Sequence, residues 1–196
     1  MLYNLSIITP PAEEPVTFAE LRQQIRDVRL EEKTLVERYA RESREMLEGV
    51  CRLTMVSTVY EVQYDDFNYG ELKLPARPVL SAADVASVKY LDSNGAEQTL
   101  SPSLYTVNVK QPYSTIVFDS EAVLPTLDDV PNAVRIRFTA GYGDASAVPD
   151  ALKVAIAERT ATKFENRESI IVGKTIATMP YGFDVIVRRY SAPEAY

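Results

Sequence analysis

The sequence predicts an α+β fold, a helical frame drawn from both ends of the chain around an inserted antiparallel β region. Three observations predict it. Apolar residues recur at a 3.6-residue period near both termini. From Thr54 the period changes to 2, the spacing of a strand with one face buried. Pro75, Pro78, Pro102, Pro112, Pro125 and Pro131 fall between the β-like runs, where they interrupt no ladder. The frame comprises two N-terminal helices plus C-terminal helices, at residues 17–50 and 146–190. The β-rich insert covers 51–145, an irregular N-terminal arm 1–16 and a C-terminal tail 191–196.

In chain order, Pro10, Pro11 and Pro15 block regular structure in the arm. Thr17-Phe-Ala-Glu20 has the spacing of a capping box, so a first helix is predicted over about 18–26 with Leu21 and Ile25 inward. A longer helix follows over about 31–48. Its stripe is Leu35, Val36, Tyr39, Ala40, Met46 and Leu47, with Ser43 in the gap. Its other face carries pairs such as Glu37 with Arg41, read as a solvated face or as subunit contacts. Gly49 is the stop signal.

Val56, Tyr60, Val62 and Tyr64 then share one face of a strand. Further strands are predicted at 72–74, 85–91, 105–109, 115–118 and 134–140. Asp92-Ser-Asn-Gly95 marks a turn. After Pro149, Leu152, Ala155, Ile156, Thr160 and Phe164 form the stripe of a helix over about 150–166. A loop around Gly173 and a short amphipathic segment at 183–190 complete the frame. The N-terminal helices cannot bury their stripes alone, and the helix after Pro149 is their natural partner.

Composition narrows the chemistry. Histidine is absent, which removes the commonest general base and the commonest metal ligand together. The formal net charge of −7 disfavours tight nucleic-acid binding, which rests on Lys and Arg neutralising phosphates. Cys51 is the single cysteine, so no internal disulfide forms, and nothing activates its thiol. Gly141-Tyr-Gly143-Asp144 lacks the lysine and third glycine of a phosphate loop and reads as a tight turn. Asp65-Asp66 and Asp128-Asp129 are acidic pairs. A carboxylate-only hydrolase would require two of them, such as Asp65 and Asp128, to converge in a pocket. No metal-ligand cluster, cofactor motif or catalytic set is legible, and the expected protein is not an enzyme. With no basic leader and no run near the roughly 20 apolar residues of a membrane span, no membrane association is expected. Twelve tyrosines suit either interfaces or half-exposed strands.

Four segments in order carry a family resemblance. They are Pro15-Val-Thr-Phe-Ala-Glu-Leu21; Leu74-Pro-Ala-Arg-Pro-Val79 with Val85-Ala-Ser-Val-Lys-Tyr-Leu-Asp-Ser-Asn-Gly95; Val134–Phe138 leading into Ala140-Gly-Tyr-Gly143; and Val148-Pro-Asp-Ala-Leu-Lys-Val-Ala-Ile156, ending at Phe164-Glu-Asn-Arg-Glu168. Over about 15–190 the chain resembles the head–tail connector (adaptor, or head-completion) proteins of long-tailed phages and phage-like gene transfer particles. It departs from them at Val28-Arg-Leu30, where members often carry aspartates, and at Phe164-Glu-Asn-Arg167, where they often carry Tyr-Glu-x-Arg.

The resemblance implies a structural subunit made in a bacterial host's cytoplasm and built into the particle neck. About twelve copies would form a ring beneath the portal protein. The ring would extend the DNA channel without binding DNA specifically, and would dock a stopper or tail-terminator protein. A C-terminal segment would reach the portal, which assigns partner contact to Phe183, Val185, Ile186, Val187, Arg188, Arg189 and Tyr190. The alternative reading is another virion assembly protein, a tail-completion or minor capsid protein.

Overall fold

The computed structural model describes residues 3–67, 70–166 and 181–192 of the chain. The expected loop around Gly173 and the last residues of the tail lie outside them. The fold is α+β. The chain divides into two compact units, one formed by residues 1–12 and 56–142, the other by 13–55 and 143–196.

The first unit is built from two antiparallel sheets. The larger has strand order β1-β2-β8-β4-β5, with β1 at Asn4–Thr9, β2 at Thr58–Tyr64, β4 at Val85–Leu91, β5 at Glu97–Thr99 and β8 at Val134–Ala140. The smaller has order β3-β7-β6, from Glu71–Lys73, Thr115–Phe118 and Tyr105–Asn108. Strand β8 shows why the ladder forms. Val134, Ile136, Phe138 and Ala140 are buried while Arg135 and Arg137 face outward, so one register satisfies both faces. On the outer face Arg137 pairs with Glu61 at 3.0 Å, and Lys89 with Glu97 at 2.7 Å. The core face joins Val62, Tyr64, Val88 and Ile136 with Leu72, Ile116 and Phe118 of the smaller sheet. Phe67 packs edge-on against Phe118, with ring centroids 5.1 Å apart. The Tyr64 hydroxyl donates to the Lys73 carbonyl, and burial, aided by the nearby Tyr3, pushes its pKa well above the ordinary value.

Two strands depart from the expectation. Residues 4–9, placed in an irregular arm, form β1 and pair with β2 from Asn4 opposite Gln63 to Thr9 opposite Val59. The prolines at 10 and 11 end this strand and do not prevent it. Strand β5, which carries no apolar residue, is held by the turn at Asp92. Asp92 Oδ1 accepts from the N–H groups of Asn94 and Ala96 at 2.9 and 3.1 Å, and Gly95 takes the positive φ of 74°.

The second unit is helical. Helix α1 spans Phe18–Gln24 and α2 Lys33–Cys51, preceded by a 3₁₀ turn at Leu30–Glu32. Helix α3 spans Asp150–Glu165 and α4 Tyr181–Tyr190. The capping box at Thr17 is present, with Glu20 Oε2 accepting from the Thr17 N–H at 2.6 Å. Leu21 and Ile25 are buried as the spacing predicts. Helix α2 runs past Gly49 to Cys51. Its stop is Arg52, which adopts the left-handed conformation at φ 54° while the Leu53 N–H donates back to the Glu48 carbonyl. The expected pair of Glu37 with Arg41 does not form, since Glu37 meets Lys33 and Arg41 meets Glu14. Val36, Ala40, Ser43 and Leu47 of α2 are buried, as are Leu152, Ala155, Ile156 and Thr160 of α3, and these two helices contact each other.

Gly141, just after β8, has φ 130°, and its N–H donates to the Pro78 carbonyl at 2.8 Å. A Cβ there would lie 2.8 Å from backbone atoms of Val56 and Ser57. Gly141→Ala therefore meets both steric overlap and a disfavoured φ. It should cost about 2 kcal/mol or more, read from urea unfolding of the intact chain.

In four described carboxylates a hydrogen bond is the leading cause of a pKa held below the ordinary value. They are Glu20 through the Thr17 hydroxyl and N–H; Asp92 through Asn94, Gln98 and Ala96; Glu97 through Lys89; and Asp144 through Ser146 and Ala147. A lowered folded pKa means the unfolded chain binds more protons as the medium is acidified. The stability these groups supply is present above the unfolded carboxylate range and lost as pH falls through the lowered values. The urea midpoint should decline below about pH 4.5, and Glu20→Gln should decline less than the parent between about pH 5 and 3.

Candidate functional site

The sequence assigns partner contact to the last helix, and α4 divides those residues in two. Phe183 is buried, at 5 % exposure, and seats the helix in its own unit, where α4 contacts α2 and α3. Ile186, Val187 and Tyr190 are half-buried on the same side. Val185 is 52 % exposed, and Arg188 and Arg189 are exposed with it. The helix is thus amphipathic, with a seated stripe and an outward face carrying the acidic Asp184, one apolar and two cationic side chains. The basic pair lies in the last turn, where it complements the helix dipole. Beyond it the Ser191 N–H donates to the Val187 carbonyl at 2.8 Å.

Charge also ties α2 to α3. Glu42 of α2 receives Lys163 at 2.5 Å and Arg159 at 3.4 Å from α3. Burial works against the Glu42 charge, but the two cations hold its pKa below the ordinary value. A second network went unread in the sequence. Arg44, with a side chain only 9 % exposed, donates from Nε to Glu14 at 2.7 Å and from Nη1 to Glu48 at 2.5 Å. Arg41 adds a contact to Glu14 at 3.1 Å, and the other Glu48 oxygen accepts from the Met55 N–H at 2.8 Å. Burial raises the Glu48 pKa despite Met55 and Arg44. Arg44 shifts upward against its own burial because Glu14 and Glu48 hold its charge. The signal that would have found this network is Arg44 followed at helical spacing by Glu48. Glu13 beside it accepts from the Ala145 N–H at 2.7 Å, closing the irregular stretch at 13–16 onto the segment leading to α3.

The residues considered for catalysis fall differently. Asp65, Asp66, Asp128 and Asp129 line one cavity of about 710 Å³ with Phe67 and Leu127. The convergence required of Asp65 and Asp128 is therefore met at the level of a shared wall. Asp65 Oδ1 is engaged in bracing a turn, where it accepts from the Asn132 N–H at 2.9 Å. The described lining supplies no cation and no cysteine or serine. Among the described residues, no group of three or more His, Cys, Asp or Glu side chains is placed to hold a metal ion. Cys51 is fully buried at the end of α2. Asp144 of the glycine turn caps the short 3₁₀ turn at Ala145–Ala147. No described helix is long and apolar enough to cross a membrane.

This arrangement of sheets and helices is found elsewhere. The chain matches one in the structure "Neck of empty GTA particle computed with C6 symmetry", with TM-score 0.79 and 22% identity over 98% of this chain and 97% of the other. A chain in "Virion of native gene transfer agent (GTA) particle" matches with TM-score 0.78 and 22% identity over the same shares. A third, in "Neck of native GTA particle computed with C12 symmetry", gives 0.74 and 21% over 100% and 98%. The fold is shared from end to end with a gene transfer agent particle chain. No protein-family model and no curated protein matches the sequence.

Breaking the Arg44 network should be costly, because it takes a buried cation away from Glu48 and leaves Glu14 to Arg41. Arg44→Ala is expected to lose about 2–4 kcal/mol in urea unfolding. A double-mutant cycle with Glu48→Gln should return a coupling of about 1 kcal/mol or more.

Proposed function

We propose that this chain is a structural subunit of a phage-like particle neck, a head–tail connector (adaptor) repeated in a ring of about twelve copies under the portal. One observation carries the reading. The whole chain, both units included, has the fold of chains in gene transfer agent structures, two of which are necks. The C12 and C6 symmetries of those necks agree with a ring of copies. A ring needs heterologous contacts, in which two different faces of one subunit meet, and a two-unit chain offers unlike faces.

In this reading the exposed side of α4 meets the portal through Val185, Arg188 and Arg189, while Phe183 keeps the helix seated. DNA passes through the ring without specific binding, since a chain of net charge −7 releases few counterions from a duplex. A stopper or tail-terminator protein docks on the tail side. The neck lies at the head–tail junction, and the role is architectural, not catalytic.

Electron microscopy of particles made with a tagged chain tests the location. The tag should decorate a ring at the head–tail junction; decoration along the tail or over the capsid would sink the reading. Arg188→Gln with Arg189→Gln should lower the melting temperature of the purified chain only slightly, because both side chains are exposed and lose only their complement to the helix dipole. Incorporation into particles should fall by roughly tenfold, the factor for about 1.4 kcal/mol of lost contact. Unchanged incorporation would remove α4 from the portal contact.

A further inference from the structure

The two sheets of the first unit leave four free strand edges among the described residues: β1 and β5 on the larger sheet, β3 and β6 on the smaller. A free edge is a template for another strand, and monomeric proteins blunt such edges with charge. Two of the four are blunted in this way. Strand β3 carries Glu71 and Lys73, and β5 carries Glu97, engaged by Lys89 and Arg135. The other two have no charge. Strand β1 reads Asn-Leu-Ser-Ile-Ile-Thr and β6 reads Tyr-Thr-Val-Asn.

Strand β1 is exposed in a second sense. Leu5 lies opposite Val62 and Ile7 opposite Tyr60, so both sit on the core face of the sheet. Val62 is fully buried, yet Leu5 is 37 % exposed and Ile7 59 %. The apolar layer of the larger sheet therefore runs out past its cover. The irregularity in β1 falls only between Ile7 and Thr9, which leaves 4–7 in regular pairing geometry.

We propose that the free edge of β1 is a strand-pairing interface, and that its occupant is the free edge of β6 in a second copy of this chain. The two uncharged edges are different surfaces of one subunit. Joining them head to tail is the heterologous contact that propagates around a ring, whereas β1 meeting β1 would stop at a dimer. Backbone hydrogen bonds supply the pairing, and the neighbour covers Leu5 and Ile7. The choice of a second copy rests on the ring reading above; the mismatch between charged and uncharged edges does not.

Cysteine pairs test it in the intact chain, both purified at high concentration and in assembled particles. Asn4, Ser6 or Ile8 is changed to Cys together with Thr106 or Asn108, so that the six pairs span the unknown register. At least one pair should give a disulfide-linked ladder reaching trimers and beyond under mild oxidation, while each single variant and the parent, whose Cys51 is buried, should give none. Adding Ile7→Lys to that pair should abolish the ladder and leave the circular dichroism melt of the monomer unchanged. No ladder from any pair in either sample would overturn the proposal. So would dimers from a single β1 cysteine, cross-linking only to another particle protein, or a ladder indifferent to Ile7→Lys. A ring at the neck without the ladder overturns the edge pairing alone. A ladder from a chain located elsewhere in the particle leaves the pairing standing and removes the neck reading.

Discussion

The burial of α2 against α3 joins parts of the chain that lie far apart in sequence, as the Arg159–Glu42 contact across 117 positions illustrates. Each is the longest described helix available to the other. The apolar stripe of α2 must be covered, and α1, at seven residues, is too short to cover it. The helical unit is consequently assembled from both ends of the chain. Everything between Met55 and Gly143 has to leave and return, which an antiparallel sheet accommodates because its first and last long strands can be neighbours. Strands β2 and β8 are those neighbours, paired from Thr58 opposite Ala140 to Tyr64 opposite Val134. The close approach at Gly141 follows from the same constraint. Where β8 ends, the chain passes against the backbone of Val56 and Ser57, and a side chain does not fit.

Elements with strong periodicity were legible because one physical requirement dominated each of them. The Thr17 capping box, the α3 stripe and the alternation along β8 could be read because burial and polar satisfaction agree there. The misses occur where the requirement is tertiary. Strand β1 has apolar residues on both faces and prolines after it, so its local pattern does not declare a strand; pairing with β2 does. Strand β5 carries only Glu-Gln-Thr and exists because the Asp92 turn delivers it to β4. Arg44 sat among charges read as solvated, and its burial depends on Glu14, thirty positions earlier in sequence.

The last helix shows how one pattern serves two purposes. The sequence places the amphipathic segment 183–190 in the helical frame, and the family resemblance gives it contact with a partner. In the structure these residues fall on two arcs around the helix axis, one buried or half-buried and one exposed. Phe183, Ile186, Val187 and Tyr190 recur at the spacing of a seated stripe, and Val185, Arg188 and Arg189 occupy the other arc. An amphipathic helix with a second apolar residue on its polar side is the form expected of an element that packs at home and binds outward. The acidic cavity between Asp65 and Asp128 lacks such a division. Asp65 and Asp129 sit at bends, and Asp65 holds the Asn132 backbone in place.

At about one residue in five identical, this chain and the gene transfer agent particle chains keep one fold over almost their full lengths. That combination is physically unsurprising. A core tolerates exchange among apolar residues when volume and period are kept, so Val62, Ile136 or Leu152 constrain the fold without constraining identity. An assembly subunit differs from an enzyme in where identity matters. An enzyme concentrates its requirements in a few side chains around reacting atoms, whereas a ring subunit spreads them over surfaces whose backbone does much of the binding. Strand edges are the extreme case, since their hydrogen bonds are made by peptide groups that every residue except proline supplies in full. In the proposed ring, leaving β1 and β6 without charge would be a specification written by omission. Such a specification leaves no chemical motif, only two uncharged edges beside two charged ones.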